Sequence, residues 1–128
     1  MDRVQYGFRR NSGGYFESEN KGVDNSYALC KVRIFADGVS HMYIDCINYG
    51  ESIYDYGILS RIDTTLTLSN AADSTNVQQS FSGMQSNSIQ IVDYGIPAAG
   101  EHYVYIKYRK DGSAYGGNDS LQFKIRFE

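Results

Sequence analysis

The stretch that decides the fold is the C-terminal LQFKIRF, which runs from Leu121 to Phe127. Apolar and polar side chains alternate along it without a break, and the apolar ones are Leu121, Phe123, Ile125 and Phe127. Successive side chains of a strand point to opposite faces of a sheet, so this pattern predicts a strand with one buried and one solvated face. Such alternation is typical of antiparallel sheets.

A similar period of two recurs towards the N-terminus. It runs through residues 28–34, 42–46 and 102–108, and shorter β-like runs cover residues 56–62 and 89–96. Turn-forming sequences separate these runs, and no helix-length pattern lies between them. Several strands at this spacing predict an all-β sandwich or barrel and exclude a parallel βαβ architecture.

Residues 63–83 lack a clear period, because Ser, Thr, Asn and Gln dilute it. Two alternatives stay open for this segment: a short turn of helix, or a long loop with an edge strand.

The length and composition predict one domain over residues 1–128. Of the 128 residues, 41% are hydrophobic and 21% charged, which is close to globular averages, and no Pro-rich or Gly/Ser linker divides the chain. Twelve Tyr and thirteen Gly with no Trp favour strands and turns. Residues 1–14 could instead form a flexible or partner-bound N-terminal arm.

Charge and hydropathy exclude two classes of partner. The net charge is −3, with 12 Lys and Arg against 15 Asp and Glu, so we expect no nucleic-acid binding, which needs a concentrated positive face. The chain has no apolar stretch long enough for a transmembrane helix and no export signal, so we expect no membrane insertion.

The two cysteines allow one geometric expectation. If their strands form a hairpin around Asp37-Gly38-Val39, Cys30 lies opposite Cys46 and the apolar face stays intact. In a jelly roll, consecutive strands often lie in different sheets, and the cysteines need not be neighbours. In either case we interpret them as two buried thiols rather than a disulfide.

Motifs for catalysis, metal binding and phosphate binding are missing from the sequence. It has no Gly-x-Ser-x-Gly, no zinc-ligand or EF-hand spacing and no phosphate-binding glycine motif. We therefore predict a non-enzymatic protein with no catalytic residue, no cofactor and no metal, although a carboxylate pair of the glycosidase kind remains an alternative. Glu17, Glu19 and Asp119 are candidate ligands of a structural Ca²⁺, but we interpret them as solvated surface acids.

Aromatic and acidic residues form the candidate binding surface. A loop with three tyrosines and two acids leads into residue 57, and a row of outward tyrosines lies in residues 103–105; the candidates are Tyr49, Glu51, Tyr54, Asp55, Tyr56, Tyr115, Tyr103 and Tyr105. Tyrosine offers a large rigid contact area with a polar tip, and carboxylates accept hydrogen bonds from sugar or protein donors. The alternative is structural: loop tyrosines that close the sandwich, and cross-strand pairing of Tyr103 and Tyr105.

Several short motifs carry a resemblance to known families. They are Asn20-Lys21-Gly22-Val23, Ser26-Tyr27-Ala28, Tyr54-Asp55-Tyr56-Gly57, Ile96 to His102 and Asn118 to Phe123. Together they resemble galactose-binding-like jelly rolls, which include carbohydrate-binding modules and adhesin domains. They are also similar to β domains of gut-bacteriophage tail, fibre and capsid-decoration proteins. The resemblance implies a jelly-roll-like antiparallel β-sandwich of about eight strands. Sugar-binding jelly rolls often stack a Trp on the sugar, and this chain has none.

Our first functional prediction is a bacteriophage virion accessory protein, a fibre, tail or decoration component that acts by surface contact. The chain starts at Met without an export signal, and we expect it to be assembled into the virion in the host cytoplasm, by self-association or on a protein partner. The alternative is a carbohydrate-binding or adhesion module of a secreted or cell-surface protein. It would bind a cell-surface glycan at the loop end through Tyr54, Asp55, Tyr56 and Tyr115.

Overall fold

The computed structural model describes residues 4–20, 26–35, 41–49, 56–60, 77–82, 89–95, 100–110 and 120–128. Within these residues the chain forms ten strands and no helix. The strands are β1 (Val4–Tyr6), β2 (Phe8–Arg10), β3 (Phe16–Ser18), β4 (Ser26–Phe35), β5 (Met42–Tyr49), β6 (Tyr56–Ser60), β7 (Val77–Ser82), β8 (Gln90–Gly95), β9 (Glu101–Lys110) and β10 (Ser120–Phe127). No helix in the described part of the chain is long and apolar enough to cross a membrane.

The strands form two five-stranded sheets. The first sheet has the order β1-β4-β9-β6-β7 and the second has the order β2-β3-β10-β5-β8. From β3 onward, consecutive strands alternate between the two sheets, except for β6 and β7, which pair as neighbours. This is the arrangement of a jelly roll, and it confirms the predicted all-β antiparallel sandwich. One pair, β1 with β4, is parallel.

The central strand pairs show why alternation predicted the elements well. β4 and β9 pair from Ser26 opposite Lys110 to Phe35 opposite Glu101, and β5 and β10 pair over eight positions. In β10, Leu121 and Phe123 are buried whereas Lys124 is exposed. Phe127 was expected on the apolar face and is 45% exposed, because it is the last residue of the strand.

One hydrophobic core fills the space between the sheets. Its members come from strands of both sheets and are Ile34, Met42, Ile44, Cys46, Leu59, Phe81, Val92, Val104, Ile106, Tyr108, Leu121 and Phe123. Full burial of one large apolar side chain stabilises a fold by roughly 1.5–3 kcal/mol, so this cluster supplies the main favourable contribution.

The hairpin register predicted for the cysteines is wrong. Cys30 lies on β4 opposite Ile106, and Cys46 lies on β5 opposite Phe123 in the other sheet. The jelly roll sends these two consecutive strands to different sheets, which was the open alternative; residues 37–39 lie outside the described part of the chain. Both cysteines are free, Cys46 buried and Cys30 partly buried. Burial raises the pKa of each thiol to about 12.

Two segments for which the sequence allows alternatives, residues 63–83 and 1–14, contribute strands at the edges of the sheets. β7 forms one edge of the first sheet, which agrees with the edge strand of one alternative for residues 63–83; residues 63–76 and 83 lie outside the described part of the chain. β1 pairs with β4 and β2 pairs with β3, so residues 4–6 and 8–10 are built into the sandwich.

Candidate functional site

Alternate residues of β4, β9 and β6 point away from the core and form a surface that we call the outer aromatic face. It consists of Tyr27, Leu29, Lys31, Arg33 and Phe35 from β4, of Glu101, Tyr103, Tyr105, Lys107 and Arg109 from β9, and of Tyr56 and Ile58 from β6. Their neighbours along each strand, such as Ala28, Val104 and Leu59, are buried. Because β9 lies between β4 and β6, the face brings together three segments that are distant in sequence.

One row across this face places an arginine between two tyrosines. Arg109 on β9 lies directly opposite Tyr27 on β4 and directly opposite Tyr56 on β6. Adjacent strands are about 4.8 Å apart, so the two tyrosines stand roughly 10 Å apart along the row. Both tyrosine side chains are partly exposed. We call Tyr27, Arg109 and Tyr56 the tyrosine–arginine row.

The side chains of this row hold one another in place. Arg109 Nη1 donates a hydrogen bond to the Tyr56 hydroxyl at 3.2 Å, and its guanidinium carbon lies 5.6 Å from the centre of the Tyr56 ring. Lys107 Nζ lies 5.1 Å from the centre of the Tyr27 ring. The row therefore presents two aromatic rings whose neighbouring cations are fixed, which lowers the entropy lost when a ligand binds.

The other end of the outer aromatic face centres on Tyr103. Lys31 Nζ lies 3.8 Å from the centre of the Tyr103 ring, and the Tyr103 hydroxyl donates a hydrogen bond to Glu101. Arg33 Nε lies 2.9 Å from Glu101 Oε1. The bond from Tyr103, helped by the charge of Arg33, holds the pKa of the Glu101 carboxyl below its usual range, and the same bond raises the pKa of Tyr103.

Tyr105 is a packed residue of this face. It is only 5% exposed, and its backbone N–H donates to Ser60 Oγ at 2.8 Å, next to the point where the β6–β9 pairing ends. Tyr103 is partly buried and packs against it. Of the two tyrosines predicted from the outward row, Tyr103 is the one that offers a more accessible ring.

The structure brings together three of the eight predicted binding residues. Tyr56, Tyr103 and Tyr105 lie on the outer aromatic face, whereas Tyr49 ends β5 in the second sheet opposite Ser120. The predictions at Glu51, Tyr54, Asp55 and Tyr115 fall outside the described residues. Sequence reasoning did not select Tyr27 as a binding residue, and the signal for it is its position one residue before buried Ala28 on β4.

A group of buried polar residues lies beneath the strand ends that carry the tyrosine–arginine row. It consists of Ser18, Asn20, Ser26, Asn48, Lys110 and Ser120. Asn20 Nδ2 donates to the Tyr108 carbonyl at 3.4 Å, and Ser18 Oγ accepts the Leu121 N–H at 3.0 Å. These bonds tie β3 to both central strands. Among the described residues, no cluster of three or more His, Cys, Asp or Glu side chains could hold a metal ion.

On the outer face of the second sheet, unlike on the outer aromatic face, an arginine is paired with two carboxylates. Arg126 lies 2.9 Å from Asp45 and 2.7 Å from Glu128, and His41 Nδ1 lies 3.0 Å from Asp93 Oδ1. The hydrogen bond to Asp45 raises the pKa of Arg126. Tyr43 stacks on His41 and lies beneath Arg126, so this face has an aromatic ring whose surrounding charges are paired.

The fold is similar to that of solved carbohydrate esterases. A family two carbohydrate esterase from Clostridium thermocellum in complex with cellohexaose matches over 98% of this chain and 30% of its own, with 14% identity and a TM-score of 0.51. An active-site mutant of a family two esterase from the same organism matches over 96% of this chain and 30% of its own, with 14% identity and a TM-score of 0.52. This chain thus spans less than a third of the length of either esterase.

No family model matches the sequence, and no curated protein sequence matches it. At this identity the likeness to the esterases concerns the fold alone. It supports the expected resemblance to the β-sandwiches of carbohydrate-active proteins, and it carries no link to bacteriophage proteins.

Proposed function

We propose that this chain is a non-enzymatic carbohydrate-binding module that binds glycan on the outer aromatic face. The observation that carries the proposal is the tyrosine–arginine row, in which two partly exposed rings flank a guanidinium across three neighbouring strands. The β-sandwich shared with carbohydrate esterases, one of them in complex with cellohexaose, supports the same class of function.

The chemistry of the row suits a sugar chain. The apolar C–H face of a pyranose packs on a tyrosine ring, and two tyrosines on strands roughly 10 Å apart suit a disaccharide unit laid across the strands. Arg109 and Lys107 donate hydrogen bonds and have no acceptor of their own, so they pair with sugar hydroxyl and ring oxygens. The hydrogen bond from Arg109 to Tyr56 orients both groups before the ligand arrives.

The test is calorimetric titration against soluble glycans, beginning with cellohexaose and extending to neutral and acidic polysaccharides. Tyr27→Ala and Tyr56→Ala each remove one ring, and we expect each to weaken binding about tenfold, which corresponds to about 1.4 kcal/mol. Tyr43→Ala is the matched control, because it removes a tyrosine from the outer face of the second sheet. Absence of binding to every glycan, or equal losses in all three variants, would contradict the proposal.

Other predictions from the sequence stay predictions. They include the virion role, self-association or docking on a protein partner, and location in the virion. The proposed function corresponds to the alternative prediction, in which the chain is a carbohydrate-binding module of a secreted or cell-surface protein. The two partly exposed rings of the tyrosine–arginine row support glycan binding, and this favours the alternative over the first prediction.

A further inference from the structure

The outer aromatic face is positively charged on an acidic protein. Its described residues include four cations, Lys31, Arg33, Lys107 and Arg109, and one carboxylate, Glu101. The whole chain carries a net charge of −3. Among the described residues, positive charge is therefore concentrated on the surface that also holds the partly exposed tyrosines Tyr27, Tyr56 and Tyr103.

Three of these cations lack a carboxylate partner among the described residues. Glu101 is bonded to Arg33 and to the Tyr103 hydroxyl. Lys31, Lys107 and Arg109 contact aromatic rings, at 3.8 Å, 5.1 Å and 5.6 Å from the ring centres. Cations held against rings remain able to take up an anion from solvent, and the ring beside each one offers an apolar surface for the same ligand.

The three cations lie on two neighbouring strands. Lys107 and Arg109 are two residues apart on β9, which is roughly 6.8 Å along an antiparallel strand. Lys31 lies on the neighbouring strand, opposite Tyr105. A ligand that meets all three must present several negative groups.

The second sheet provides the contrast within the same molecule. Its outer face carries Arg126 bonded to Asp45 and Glu128, and His41 beside Asp93. Arg126 is therefore paired there, whereas Lys124 lies against the Tyr15 ring. The outer aromatic face differs in carrying three cations that have no carboxylate partner among the described residues.

We infer that the glycan bound by this face is a uronic-acid polysaccharide. Its sugar rings pack on Tyr27 and Tyr56, and Lys31, Lys107 and Arg109 bind its carboxylates. The inference rests on the proposed function, and it adds the chemical class of the glycan. The carboxylate can accept hydrogen bonds from the Nη groups of Arg109, whose Nε is buried and whose Nη1 also donates to Tyr56.

The experiment compares polygalacturonate with its fully methyl-esterified form in calcium-free buffer. The two polymers share a backbone and differ in the negative charge of the carboxyl group. We expect the esterified form to bind at least about tenfold more weakly, and binding of polygalacturonate to fall steeply between roughly 0.05 M and 0.5 M salt. Alginate, dextran sulfate, cellohexaose, polyacrylate and single-stranded DNA complete the panel.

Charge-removing variants locate the effect. Lys31→Gln and Lys107→Gln should each weaken binding of polygalacturonate about three- to tenfold and weaken binding of the esterified polymer by less. Lys124→Gln is the matched control, because Lys124 also lies over a tyrosine, with Nζ 5.8 Å from the Tyr15 ring centre, on the outer face of the second sheet. Thermal unfolding of each variant shows whether it is folded.

The outcomes separate the inference from the proposed function. If the charged and the esterified polymers bind with equal affinity, the inference is overturned and the proposed function is supported. The same holds if cellohexaose binds as tightly as polygalacturonate at any salt concentration. Tighter binding of dextran sulfate than of both uronate polymers also overturns the inference, in favour of a sulfated glycan. Equally tight binding of polyacrylate or DNA overturns both, because the face then binds any polyanion. Lack of binding to every glycan overturns the proposed function as well.

Discussion

Tyr27 and Tyr56 lie on either side of Arg109, each directly opposite it on a neighbouring strand. The two tyrosines lie on β4 and β6, and β9 separates these strands. Arg109 is the only residue that lies opposite both, and it donates a hydrogen bond to one of them. Its shape as well as its charge should therefore matter for binding.

Arg109→Lys tests this dependence on shape. Lysine keeps the positive charge and loses the planar fork, which donates to Tyr56 and can bind two acceptors of a ligand. We expect about a tenfold loss of glycan affinity and a loss of stability of about 1 kcal/mol. Titration calorimetry and urea unfolding measure the two quantities. Affinity equal to that of the unchanged chain would show that Arg109 contributes charge alone.

A hydrogen bond between the sheets gives the second prediction. The Tyr94 hydroxyl, on β8 of the second sheet, donates to the Ser60 carbonyl of the first sheet at 2.7 Å. Tyr94→Phe removes the donor and keeps the ring, so we expect a loss of about 1–2 kcal/mol in the free energy of unfolding. Tyr43→Phe, on an outer face, should change it by less than about 0.5 kcal/mol. Equal effects of the two changes would mean that this bond contributes nothing specific.

Gly57 gives the third prediction, because it leaves room for a core side chain. A Cβ added there would lie 3.0 Å from Leu121 Cδ2 and 3.3 Å from Asn48 Oδ1, both on fully buried residues. Gly57→Ala should therefore overpack the core and destabilise the fold by about 1–3 kcal/mol. Gly13→Ala is the control, since its new Cβ would lie 3.4 Å from Asn11 Oδ1, at an exposed contact in the turn between β2 and β3. Chemical denaturation of both variants measures the difference.

The two buried thiols predict a loss of stability at alkaline pH. Burial raises the pKa of Cys30 and Cys46 to about 12, well above the value of an unfolded thiol, about 8.5. The folded chain therefore holds these protons more tightly than the unfolded chain does. The resulting stability is complete below the unfolded pKa and is lost as the pH rises from about 9 towards 12.

Urea unfolding across this pH range checks the sign. Cys46→Ala should reduce the slope of stability against pH, although it also lowers stability at neutral pH through lost packing. A thiol reagent at about pH 8 should label the native chain slowly and the unfolded chain fast. An unchanged alkaline slope in the variant would contradict the assignment to Cys46.

The sequence predicts the strands better than it predicts their neighbours. Alternation along residues 121–127 is a local property, and it identified β10 because one face of that strand is buried. The pairing of Cys30 depends on which strand lies beside β4, and a hairpin and a jelly roll satisfy the same alternation. The placement of Tyr27 and Tyr56 around Arg109 depends on the same long-range order, so it could not be inferred from periodicity.

Glu101 gives the last prediction, because it is the only carboxylate among the described residues of the outer aromatic face. Its pKa is lowered first by the hydrogen bond from Tyr103 and then by Arg33, so it stays ionised as the pH falls to the usual carboxyl range. An ionised carboxylate at this position repels an acidic glycan. Glu101→Gln removes the repulsion and frees Arg33 to bind the ligand. The glutamine side chain can still accept a hydrogen bond from the Tyr103 hydroxyl.

We therefore expect Glu101→Gln to bind polygalacturonate about two- to fivefold more tightly at low salt, an advantage that shrinks at high salt because salt screens the removed charge. Asp93→Asn is the control, since it removes a carboxylate from the outer face of the second sheet, where it pairs with His41. If both variants strengthen binding equally, the gain comes from the net charge of the protein. Weaker binding in Glu101→Gln alone would mean that the carboxylate itself contacts the glycan, as an acceptor for sugar hydroxyls.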